Sequence, residues 1–115
     1  MSWPPQLGKV LPRAAEAWCE PSKWGGWILA PHGHGPEWET VLRVGLGDVD
    51  SIWGAIRAAV QSEPVSRIRD ASRYGLICRV DVELTLGART ATIRTAWHYS
   101  DAHCPPRLVS AYPTL

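Results

Sequence analysis

The sequence predicts an α+β fold, with N-terminal helices packed on one face of a three- to four-stranded antiparallel meander. Three observations predict it. Apolar residues recur at spacings of three and four from Trp38 to Val60. Beyond Val65 the period changes to two. Gly87-Ala88 then joins two long alternating runs, and a two-residue loop with glycine first is the pattern of a II′ hairpin turn.

The elements follow in order. Residues 1–10 read as a loose arm because of Pro4 and Pro5. "PRAAEAWCE" reads as a short helix, with Pro12 in its first turn and Pro21 ending it. The apolar piece Trp27 to Ala30 fits a strand or a helix end, and "HGHG" reads as a loop. Pro36, Glu37 and Glu39 suit the first turn of a helix that Gly45 and Gly47 end. A second helix begins near Asp50 or Ser51 and buries Ile52, Ile56, Ala59 and Val60. "VSRIRDA" is a first strand, and "YGLICRVDVELTL" and "RTATIRTAWHY" form the hairpin. Its turn sets Val82 opposite Ile93 and Cys78 opposite Trp97 on an apolar face. Asp81 then faces Arg94, Arg79 faces Ala96, and Ile77 faces His98 on the other. "RLVSAY" adds a last strand, with Val109 and Ala111 on one face and Leu108, Ser110 and Tyr112 on the other.

Composition bounds the function. The chain of 115 residues reads as one domain, 45% hydrophobic and 20% charged. A net charge of +1 argues against strong nonspecific nucleic-acid binding, although a local basic patch is compatible with it. No apolar run is long enough to span a membrane, and three widely spaced cysteines read as free thiols of a cytoplasmic protein. Seven Trp against no Phe is unusual, because each indole N–H needs a partner.

Candidate chemistry lies on the sheet face away from the helices. His98 would be a general acid or base, and Arg94 and Arg107 would hold developing negative charge. Tyr112 or Ser110 would orient a phosphate oxygen. Trp24, Trp27 and Arg79 are candidate ligand-binding residues, the two indoles as a stacking platform. An ordinary solvated sheet face and ordinary core tryptophans are the alternatives. His32, His34, His103 and Cys104 lack the regular spacing of zinc sites, so no metal and no cofactor is expected.

"LPRAAEAWCEPSKWGGWILAPHGHG", Gly75, Trp97 and the closing "PRLVSAYP" carry a resemblance covering most of the chain. They resemble an uncharacterised bacterial domain family, and the ending is similar to ribonuclease toxin domains of the barnase–EndoU–colicin–RelE (BECR) type. The resemblance implies a metal-independent ribonuclease toxin domain acting on RNA, with a cognate immunity protein as partner. Arg107, Ser110 and Tyr112 match the terminal motif. Trp38 and Glu39 stand where that bacterial family carries Lys-Ala. Two rival readings are a non-catalytic binding or immunity module and a small enzyme for an aromatic metabolite in a Trp-rich groove.

Overall fold

The structure, a computed structural model, describes residues 3–114. It is the expected α+β arrangement. Helices α1 (Gly35–Leu42) and α2 (Val49–Ala59) precede strands β1 (Arg67–Asp70), β2 (Leu76–Leu86), β3 (Arg89–Tyr99) and β4 (Arg107–Pro113). The strands form one antiparallel meander in the order β1-β2-β3-β4. No described helix is long and apolar enough to cross a membrane.

The hairpin register holds over its whole length, from Leu76 opposite Tyr99 to Leu86 opposite Arg89. Gly87 has φ +63°, while Ala88 is not left-handed, as a II′ turn requires. One sheet face buries Cys78, Val80, Val82, Leu84, Ile93, Trp97, Leu108 and Ala111 against the helices. Trp38 and Leu42 of α1 enter this core, as do Ile52 and Ile56 of α2. The polar side-chain atoms within this core are paired. Trp97 Nε1 donates to Thr95 Oγ1 at 2.7 Å, and that hydroxyl donates to Val80 O at 2.6 Å. Trp38 Nε1 donates to Ala111 O at 3.0 Å, and the Tyr99 hydroxyl to Pro12 O at 2.6 Å.

Four local expectations are corrected. The helix from Pro12 is only one 3₁₀ turn, Ala14–Glu16, because Arg13 adopts a left-handed φ of 57°. The piece around Trp27 is a π-helical turn, Trp24–Ile28, in which Leu29 N donates to Trp24 O. Helix α1 ends before the glycines, at Arg43, whose φ of 58° takes the chain out of the helix. Residues 1 and 2 of the expected arm lie outside the described residues, and from Trp3 on the arm is pinned: Gly8 N donates to Val65 O at 2.9 Å, Val65 N to Lys9 O at 2.8 Å, and Trp3 packs edge-on against Tyr99.

Strand β4 departs from simple alternation. Ala96 faces Ser110, yet Trp97 faces Leu108, so Val109 is an extra residue. This bulge turns Leu108 and Ala111 into the core together and leaves Ser110 and Tyr112 half-buried on the opposite face. Leu108 therefore parts from Ser110 and Tyr112.

Two predictions follow from this packing. A Cβ at Gly87 would meet open space, so Gly87→Val should cost more than about 1 kcal/mol through backbone conformation alone, measured by urea unfolding. Burial pushes the thiols of Cys19 and Cys78 up to about 11 and raises Tyr99 as well. In the unfolded chain these groups ionise near ~8.5 and ~10. The thiols' contribution to stability is complete below about pH 8.5 and is lost as the pH rises through about 11, and Tyr99 adds a loss that begins only above about pH 10. The urea midpoint should fall over that window, and less steeply in a Cys19→Ala/Cys78→Ala variant.

Candidate functional site

Three cross-strand rows of the sheet face away from the helices carry the candidate residues. Asp81, Arg94 and Tyr112 form the first. Arg67, Arg79, Ala96 and Ser110 form the second, and Arg69, Ile77, His98 and Arg107 the third. All five residues expected to carry chemistry therefore share one face. They divide into two groups along it.

The first group sits where β4 meets the start of α1. Arg94 Nε donates to Asp81 Oδ1 at 3.2 Å, and the Asp81 carboxylate, then the Tyr112 hydroxyl, raises the guanidinium above its ordinary pKa. The Tyr112 ring stacks on His34, with centroids 4.6 Å apart and planes at 24°. His34 Nδ1 lies 2.8 Å from Glu37 Oε2. Trp27 meets the His34 ring edge-on at 5.1 Å and donates its indole N–H to Ser110 Oγ at 3.4 Å. His34, Glu37, Arg94, Tyr112, Pro113 and Thr114 line an open cleft of about 500 Å³.

Local sequence explains how His34 arrives there. The π-turn lets His34 N donate to Trp27 O at 3.0 Å, folding the "HGHG" loop back over Trp27. Gly33 permits this approach, since a Cβ there would sit 2.0 Å from Trp27 O. Helix α1 starts next to His34, and a spacing of three brings the Glu37 carboxylate to its imidazole. This pair was not among the expected site residues. The signal was present in "HGPE", a histidine three residues before a glutamate at a Pro-marked helix start.

The second group lies towards the other end of the face. His98 Nε2 hydrogen-bonds Tyr74 O, and its Nδ1 lies 3.5 Å from Arg107 Nη2. Arginine only donates, so Nδ1 is the acceptor and Nε2 carries the hydrogen. Both ring nitrogens are occupied in that tautomer. The Arg107 guanidinium also lies 6.0 Å over the Trp18 ring.

The two candidate stacking residues do not share a surface. Trp24 is buried, edge-on to Trp53 at 6.3 Å, and lines a groove with Cys19, Leu46 and Val49 on the helical side. Trp27 is exposed beside Ser110. Arg79 stands in the middle of the sheet face, where its Nε is shielded from solvent without a hydrogen-bond partner. His32 bonds Gly26 O instead of joining His34, and no three His, Cys, Asp or Glu side chains gather to hold a metal among the described residues.

The arrangement can move a proton at His34 Nε2, with Glu37 orienting the ring, and can hold an anion at Arg94. Comparisons with protein-family models, with curated proteins and with solved structures return no match.

Proposed function

We propose that the chain is a metal-independent ribonuclease-like domain of the toxin type, acting in a cytoplasm and held in check by a cognate inhibitory protein. One observation carries this reading: a carboxylate-oriented histidine, an arginine and a tyrosine converge on one open cleft. His34 takes the basic role rather than His98, whose ring nitrogens are both engaged.

The chemistry uses a nucleophile within the substrate. Glu37 accepts the Nδ1 hydrogen of His34, leaving Nε2 to take the proton of an RNA 2′-hydroxyl. The 2′-oxygen forms a bond to the adjacent phosphorus, and the bond from phosphorus to the 5′-oxygen breaks. Arg94 stabilises charge on the phosphate oxygens. The Tyr112 hydroxyl, held by Arg94, orients a phosphate oxygen. The products are a 2′,3′-cyclic phosphate and a 5′-hydroxyl, the latter protonated from water.

A non-catalytic binding module is the second reading. It is favoured by Asp81, which already occupies part of the Arg94 guanidinium.

Purified protein should cut RNA in EDTA and leave 2′,3′-cyclic ends. His34→Ala should lower the rate by ~10²-fold or more, the scale of a lost general base. Glu37→Gln should lower it less and shift its pH profile, because it acts through His34. His98→Ala should leave most of the activity. Undiminished cleavage by His34→Ala would remove this reading. Absence of cleavage with retained RNA binding would support the binding module.

A further inference from the structure

Arg67 and Arg79 are direct cross-strand partners on the open sheet face. Like charges in that position repel and destabilise the pair. Arg69 lies two residues along the same face. None of the three forms an ion pair or a side-chain hydrogen bond among the described residues. The other outward arginines are accommodated, Arg94 by Asp81 and Arg107 by His98 and Trp18. Arg79 Nε is also withdrawn from solvent, so water does not satisfy it. Arg67, Arg69, Ile77, Arg79 and Ala96 line a groove of about 330 Å³.

The groove has a direction. Its floor continues along the second row from Arg79 over Ala96, the smallest side chain there, to Ser110 on β4. Trp27, 40% exposed, stands at that end and borders the His34 cleft. Three strand spacings of ~4.8 Å give a path of roughly 14 Å from β1 to β4. We infer that this trough is a binding track for a single-stranded nucleic acid, with one backbone phosphate held between Arg67 and Arg79 and a base lying against Trp27. A phosphate there removes the Arg67–Arg79 repulsion and supplies an acceptor for Arg79 Nε. One strand fits a trough one row wide, and an aromatic face takes any base. The inference deepens the ribonuclease reading by placing the strand, but it is tested without cleavage.

The probe is a short fluorescent single-stranded DNA, which lacks the 2′-hydroxyl and is not a substrate. Its anisotropy is followed as the salt concentration is raised. Wild type should bind, and Arg67→Gln/Arg79→Gln should bind at least about tenfold more weakly at low salt. The slope of log K against log[salt] should fall by about 0.7, the value for one single-strand phosphate. The same variant should melt no lower than wild type, since the repulsion is gone. A control with the same charge change at the end of α1 and in α2, Arg43→Gln/Arg57→Gln, should bind like wild type. Trp27→Ala should weaken binding and leave the slope unchanged. Failure of wild type to bind, or equal losses in control and test variants, would overturn the track. Binding with the expected arginine dependence but without RNA cleavage would retain the track and remove the ribonuclease reading.

Discussion

A single register between β2 and β3 decides which residues this protein buries and which it presents. A slip of one residue would turn Val80, Val82 and Trp97 outward and press Arg79, Arg94 and His98 into the helices. The Thr95 hydroxyl locks the choice. It donates to Val80 across the strands and accepts from Trp97 along its own, both inside the core. Each of those buried groups left without its partner would cost about 1–3 kcal/mol. The tryptophan-rich core depends on such pairings. The indole of Trp38 finds a β4 carbonyl, so α1 is held to the last strand by a directed bond as well as by apolar contact.

The hairpin was legible in the sequence because its two faces differ at nearly every position and its turn needs a glycine. The helical stripes of α1 and α2 were legible for the same reason, at a different period. β4 was read less well. A bulge at Val109 shifts the alternation by one, and the composition of "RLVSAY" does not mark where the extra residue falls. The short turns were misread because Arg13 and Arg43 take left-handed conformations that sequence rarely assigns to arginine. Of the site, the sheet residues could be assigned to a face once the register was known. His34 and Glu37 could not, because they reach the sheet through a π-turn and a folded-back loop. Those are tertiary arrangements with no period to read.

The open face is organised by how each arginine is neutralised. Asp81 holds Arg94, and a histidine and an indole hold Arg107. This pairing divides the face into a cleft beside α1, where His34 and Tyr112 stack, and a basic groove beside β1. Ala96 lines the groove and lies opposite Ser110 on β4. A net charge of +1 conceals this division, because it sums Asp81 and Glu37 at the cleft with the unpaired arginines of the groove.

The two edges of the sheet are closed to neighbours in different ways. β1 is only four residues long, and Arg67, Arg69 and Asp70 make three of them charged. At the other edge, backbone bonds between Trp18 and the start of β4 occupy groups that a foreign strand would use: Leu108 N donates to Trp18 O, and Trp18 N to Pro106 O. Pro113 ends that strand with a residue that has no N–H to offer. A short charged edge and a backbone-capped one both discourage strand addition. Copies of this chain can therefore crowd together without their sheets joining edge to edge into a continuous ribbon.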